Sequence, residues 1–142
     1  MDSHDHRSLV LWAADCAEHV LPRFEEERSG DTRPRRAIEA GRAWARGEMK
    51  MSEARAAAFA AHAAARECDR AEARIVARAT GHAAATAHVA THAPHAAAYA
   101  VKAVAAAAGA KTSSAATEER NWQYQRLPDH LRPMAFPNRG DD

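Results

Sequence analysis

The chain has 142 residues, which suits one domain with a single core. Twenty Lys and Arg residues oppose 19 Asp and Glu residues, so the formal net charge of +1 gives no electrostatic sign of a nucleic-acid or acidic-membrane partner. Alanine supplies 39 residues and Leu, Ile, Val and Phe together only 16, a composition that at low net charge predicts closely spaced helices and excludes a disordered chain.

The first helix is predicted from Arg7 to about Glu26. Its apolar residues recur at intervals of four, three and four, which predicts one buried stripe formed by Leu9, Ala13, Cys16 and Val20. Because Pro22 has no backbone N–H, a kink or an early end of the helix is expected there.

The next two helices have recognisable ends. Helix two is predicted from Pro34 to about Arg46, because proline fits a first helical turn and Gly47 fits the position after the last turn. Helix three is predicted from an N-cap at Ser52 to about Glu67, and Phe59 is its only large apolar residue. Its neighbours must therefore come close, with alanine and His62 filling the space.

Helix four is expected to begin after a cap at Asp69, and Gly81 either breaks it or marks a close helix crossing. A fifth helical piece then ends at Pro94, which disfavours helical geometry at the residue before it. Two more helices are predicted over residues 95–108 and from 113 or 114 to 125.

These elements predict an all-α protein, a compact bundle of five to seven alanine-rich helices in which HEAT-like helix pairs remain open. Residues 1–127 are predicted to form a single helical domain, and residues 128–142 an irregular proline-containing tail. No secretory signal or membrane span is expected. We interpret Cys16 and Cys68 as buried thiols of a cytoplasmic protein.

The segment HAAATAHVATHAPH concentrates four histidines among small residues. On one continuous helix His88, His92 and His95 share a narrow stripe, and three imidazoles are a ligand set for Zn²⁺. A tetrahedral site, however, needs ligands from more than one direction. We therefore predict that the imidazoles pack between close helices, and a metal-binding helical protein and a pH-sensitive contact are the alternative hypotheses.

A group of polar residues also lies close together in the predicted first helix. Asp15, Glu18 and His19 have the composition of an acid/base cluster, but no nucleophile motif or phosphate-binding loop accompanies them. An exposed charged face is the preferred interpretation. The sequence therefore predicts no enzyme, no catalytic residue and no cofactor. Asp15 is instead a candidate ion-pair partner for an arginine of helix two.

Helix two carries a strip of arginines. Arg35, Arg36 and Arg42 suit phosphate or a partner carboxylate, which leaves a nucleic-acid-associated module as a second rival hypothesis. Glu39 dilutes the strip, so a solvated helix face is preferred and no nucleic-acid partner is predicted.

Several segments carry a family resemblance. LWAADCAEHVLPRFE, RPRRAIEAGRAWARGE, ARAAAFAAHAAARE and TGHAAATAHVATHAPHAAAYAVKAV are together similar to the bacterial immunity protein family of polymorphic toxin systems. The resemblance covers most of residues 8–126. It implies a small, all-helical, cytoplasmic, non-enzymatic protein that binds a cognate toxin, and it supplies no catalytic residue.

For such a role the sequence offers a few partner-binding candidates, because arginine and aromatic side chains dominate interface affinity. The candidates are Arg35, Arg42, Trp44, Trp122 and Tyr124. Burial of the tryptophans in the core is the competing interpretation. A homodimer through alanine-rich surfaces stays open.

Overall fold

The computed structural model describes residues 1–137, and in that range it contains helices and no strand. The α-helices are α1 (Ser3–Glu25), α2 (Arg33–Ala45), α3 (Met51–Arg66), α4 (Ala71–Ala85), α5 (Ala93–Ala108), α6 (Thr112–Gln125) and α7 (Arg132–Ala135). Three 3₁₀ turns lie at Ala90–His92, Gly109–Lys111 and Asp129–Leu131. The predicted all-α, multi-helical fold is confirmed.

Helix α1 begins before the predicted start at Arg7 and continues past Pro22. The carboxylate of Asp2 caps it by accepting a hydrogen bond from the backbone N–H of Asp5 at 2.8 Å. The helix then continues through Pro22 to Glu25, and the N–H of Glu26 still donates to the carbonyl of Pro22. The expected early end at Pro22 is therefore wrong, because one missing donor in the last turn is tolerated.

Other helix ends agree with the sequence to within a few residues. Helix α2 is followed by Gly47 with a φ of +77°, the left-handed conformation expected of a C-terminal glycine. The predicted caps Ser52 and Asp69 are wrong, because α3 and α4 follow Lys50 and Arg70, neither of which makes a side-chain cap bond. Pro94 lies in the first turn of α5 and so starts that helix at Ala93.

Helix α4 lies at the centre of the molecule and packs against α1, α2, α3 and α5. Small residues allow this close approach. A Cβ atom on Gly41 of α2 would lie 3.6 Å from the carbonyl oxygen of Ala83 and 3.8 Å from the Cα of Ala84. Helix α4 continues through Gly81, so that glycine marks a close crossing and the alternative of a break is wrong.

The core contains few large side chains. Those that are almost fully buried include Phe24, Leu9, Leu21, Ile38 and Leu127, and alanines fill most of the remaining space. Phe59, the only large apolar residue of α3 apart from Met51 at its start, is 60% exposed. The fully buried residues of α3 are therefore all alanines, and its phenyl ring is left on the surface.

The C-terminal segment is not irregular throughout. Leu131 and Ala135 are buried in the core, and the ring of Phe136 meets the indole of Trp12 edge-on with centroids 5.7 Å apart. The Nε1–H of Trp12 donates to the carbonyl of Gln123 at 2.8 Å. The tail predicted from residue 128 thus folds onto α1 and α6 as far as Phe136, and the part of that prediction covering 138–142 lies outside the described residues.

Cys16 and Cys68 are free and buried, as the sequence predicted. Burial raises the pKa of the Cys16 thiol well above its ordinary value. Within residues 1–137, no helix combines the length and apolarity needed to cross a bilayer.

Candidate functional site

The arginine strip of α2 is largely neutralised by α1. The guanidinium of Arg42 donates to Asp15 at 2.8 Å and to Glu18 at 2.8 Å, and that of Arg35 donates to Glu25 at 2.6 Å. The hydrogen bond from Arg42 lowers the pKa of the Glu18 carboxyl. The predicted pairing of Asp15 with an arginine of helix two is confirmed, and the strip clamps the α1–α2 hairpin together.

The three residues with the composition of an acid/base cluster do not converge. Asp15 and Glu18 turn toward Arg42, whereas the Nδ1 of His19 lies 2.9 Å from the carboxylate of Glu119 on α6. The three side chains therefore serve two separate helix contacts.

The aromatic candidates also make contacts within the chain. The half-buried ring of Trp44 lies 4.8 Å from that of His6, and Trp122 stacks on His19 with centroids 3.8 Å apart. Beside this stack is an open groove of about 440 Å³. Tyr124 packs between Phe136, at 5.5 Å between ring centroids, and the guanidinium of Arg132, at 4.3 Å from its ring.

The histidines form the clearest concentration of functional side chains. His82 of α4 is central: its ring centroid lies 5.0 Å from that of His62, 5.3 Å from His92 and 5.4 Å from His95. Tyr99 stacks on the same ring at 5.2 Å with an interplanar angle of 13°. Three helices and the 3₁₀ turn before α5 thus contribute to one cluster.

Cationic and aromatic side chains extend this cluster along the surface. On α3 the guanidinium of Arg55 lies 5.3 Å from the exposed ring of Phe59, which is one turn before His62. On α5 the ammonium of Lys102 lies 5.3 Å from the ring of Tyr99. We call this surface the histidine face and define it as Arg55, Phe59, His62, Arg66, Arg78, His82, His92, His95, Tyr99 and Lys102.

Two hydrogen bonds require neutral imidazoles. Arg78 donates to the Nδ1 of His62 at 2.8 Å, which that nitrogen can accept only when unprotonated. The Nδ1 atoms of His82 and His92 are 3.1 Å apart, so one donates and the other must accept. Burial, followed by nearby positive charge, lowers the pKa of His62 to about 4, and burial together with the neighbouring imidazoles lowers that of His82 to about 4.

The metal-ligand set of the alternative metal-binding hypothesis is only partly brought together. His92 and His95 are neighbours at 6.1 Å between ring centroids, but His88 is exposed in the turn after α4 and makes no ring contact with them. Within residues 1–137, no group of three or more His, Cys, Asp or Glu side chains is arranged to hold a metal ion. Packing between close helices describes His62 and His82 well.

Gly81 is what allows the imidazole of His62 to lie on α4. A Cβ atom on Gly81 would come within 2.6 Å of the Nε2 of His62, closer than real contacts allow. We therefore expect Gly81→Ala to displace that ring and to lower the free energy of unfolding by about 1 to 2 kcal/mol, since overpacking outweighs the gain in helix propensity.

Gly41→Ala is the matched control, because its added Cβ would meet Val10 at an ordinary distance of 3.4 Å. We expect that variant to keep its stability or gain up to about 1 kcal/mol. Urea unfolding followed by circular dichroism measures both. Equal stability of the two variants would show that the position of the His62 ring does not depend on the missing side chain of Gly81.

Sequence reasoning expected His62 to fill space beside helix three, but it did not connect this residue with the histidine segment of another helix. A glycine inside α4 was the available signal, since it marked a close crossing without showing which side chain fills it. Exposure of Phe59 was also missed, because the composition of α3 alone does not orient its faces.

A comparison with protein families supports the resemblance found in the sequence. The model of the family described as Imm-5 like putative immunity protein matches residues 1–130. Searches of curated proteins and of solved structures find no match.

Proposed function

The chain belongs to the Imm-5 like immunity protein family, and from this premise we propose that it binds a cognate bacterial toxin and neutralises it without catalysis. We place the activity in the cytoplasm and assign it to the helical body formed by residues 1–127. Neutralisation follows when a rigid surface covers the toxin region that contacts the toxin's own substrate.

The observation that supports this proposal most directly is the histidine face. It spans three helices that pack closely on one another, so its outline is fixed by the core. Aromatic and arginine side chains are enriched at the centres of protein interfaces, and this surface presents Phe59 beside Arg55. Among residues 1–137, Phe59 is the most exposed of the Phe, Tyr and Trp side chains, at 60%.

Other candidates fit an interface less well. Arg35 and Arg42 are held by carboxylates of α1, and the rings of Trp44 and Trp122 pack within the chain. Using them for a partner would require exchanging contacts that stabilise the fold. We therefore propose them as peripheral contacts at most, with the toxin surface centred on α3, α4 and α5.

The test begins with growth rescue. Each toxin encoded beside this chain is expressed alone and together with the chain, and restored growth is expected for the cognate one. The purified pair is then examined by calorimetry. Growth inhibition that persists with every neighbouring toxin, together with no complex for any of them, would refute the proposed function.

The interface is tested with one pair of variants. Phe59→Ala is expected to weaken toxin binding about thirtyfold, the effect of losing about 2 kcal/mol at an interface anchor. Leu11→Ala removes an apolar side chain that is 41% exposed on α1, outside the histidine face, and is expected to change the dissociation constant by less than about threefold. Equal effects of the two substitutions would place the toxin elsewhere.

A further inference from the structure

The histidine face carries three arginines and one lysine among its ten residues. Within residues 1–137, the recorded ion pairs hold arginines such as Arg35 and Arg42 against carboxylates, but none includes Arg66 or Lys102. The guanidinium of Arg78 donates its hydrogen bond to the imidazole of His62, which carries no negative charge. Among the residues that the structure describes, these cations of the face therefore have no carboxylate partner.

Carboxylates are also absent from the sequence that builds most of this face. From Ala73 to Thr117 the chain contains neither aspartate nor glutamate. In the described part of the chain, the charged groups that act on the imidazoles of His62 and His82 are arginines and other histidines. Residues 73–117, which supply six of the ten residues of the face, therefore place no carboxylate on it.

The rings of the face supply hydrogen-bond donors next to these cations. A neutral imidazole carries one N–H, and the rings of His92 and His95 lie at the accessible side of the cluster, with His95 exposed. Donors from imidazole, guanidinium and ammonium groups, with no acceptor carboxylate among them, match the oxygen atoms of acidic side chains.

We propose that the histidine face binds a carboxylate-rich segment of the partner protein, held by Arg66, Arg78 and Lys102. The identity of that partner as the toxin rests on the proposed function. The preference for an acidic segment belongs to the face itself and is tested without a toxin.

The probe is an octaglutamate peptide, with octaglutamine as the uncharged control, added to the full chain at pH 7. Chemical-shift changes of backbone amides are expected along residues 55–66, 78–82 and 92–102 with octaglutamate only. The double variant Arg66→Glu/Lys102→Glu is expected to weaken this binding at least about fivefold. Shift changes on other surfaces, or equal changes with octaglutamine, would overturn the inference.

The matched control is Arg7→Glu/Arg36→Glu, which makes the same charge change at two exposed positions outside the face. It is expected to alter octaglutamate binding by less than about twofold. If the control lost as much octaglutamate affinity as the first double variant, the net charge of the protein alone would explain the effect. That result would overturn the inference.

The same two double variants are then measured against the cognate toxin. Arg66→Glu/Lys102→Glu is expected to weaken binding at least about tenfold, and the control by less than about threefold. A toxin that is neutralised equally by wild type and by Arg66→Glu/Lys102→Glu would leave the proposed function standing and overturn this inference. Binding of octaglutamate to the face without any toxin binding would refute the proposed function and retain the acidic preference.

Discussion

Phe24→Ala is expected to lower the free energy of unfolding by about 4 to 5 kcal/mol, the upper part of the range for loss of a buried phenyl group. Phe24 is fully buried in the last turns of α1 and is one of the few large side chains of the core. The cost of such a cavity depends on how far the surroundings can collapse into it. Alanine has no side-chain rotamers, so an alanine-rich core cannot rearrange to fill the space.

Phe59→Ala is the matched control, because it makes the same chemical change on a ring that is 60% exposed. It is expected to change stability by no more than about 0.5 kcal/mol, since alanine favours the helix and offsets the lost contact with Arg55. Urea unfolding at pH 7, followed by helical circular dichroism, measures both variants. A loss below about 2 kcal/mol for Phe24→Ala would show that the core is loosely packed.

Acidification from pH 7 to 4.5 is expected to lower the free energy of unfolding by about 2 to 3 kcal/mol through His62 and His82. Each imidazole has a pKa of about 4 in the folded chain and an ordinary pKa of 6.5. Between these values the unfolded chain binds protons that the folded chain does not. Stability is therefore highest above pH 6.5 and falls as the pH approaches 4.

Two full pKa shifts, at about 1.4 kcal/mol per pKa unit, would lower the free energy of unfolding by more than this. The expected loss is smaller because both rings are only half-buried and are screened by solvent. Carboxylates contribute in a lower window. The pKa of Glu18 is lowered by its bond to Arg42, so the stability from that pair is present above the ordinary pKa of 4.5 and is lost below it.

The measurement is a series of urea titrations between pH 4.5 and 7.5. The double variant His62→Gln/His82→Gln is expected to lose most of the slope between pH 6.5 and 4.5, because glutamine does not titrate. His88→Gln, which replaces an exposed histidine, is expected to keep the slope. An unchanged slope in the double variant would assign the acid sensitivity to other groups.

The histidine face illustrates how far a sequence pattern extends. The spacing of His88, His92 and His95 describes one continuous helix, but the chain leaves α4 at Ala85 and starts α5 at Ala93. Within that break the periodicity of a single helix no longer applies. His82 and His92 meet across it, with their Nδ1 atoms 3.1 Å apart, and His88 is left outside.

The sequence by itself determined the all-helical class, the family and most helix ends, because helix propensity, proline and glycine act within a few residues along the chain. It also predicted the pairing of Asp15 with α2, since both helices of that hairpin were already placed. Only the tertiary structure decided that His62 joins His82, that Phe59 faces solvent and that the segment through residue 137 docks on Trp12. Those outcomes depend on where the helices cross and on the orientation of each helix about its own axis. Because an alanine-rich helix has similar side chains on every face, its local sequence does not specify that orientation.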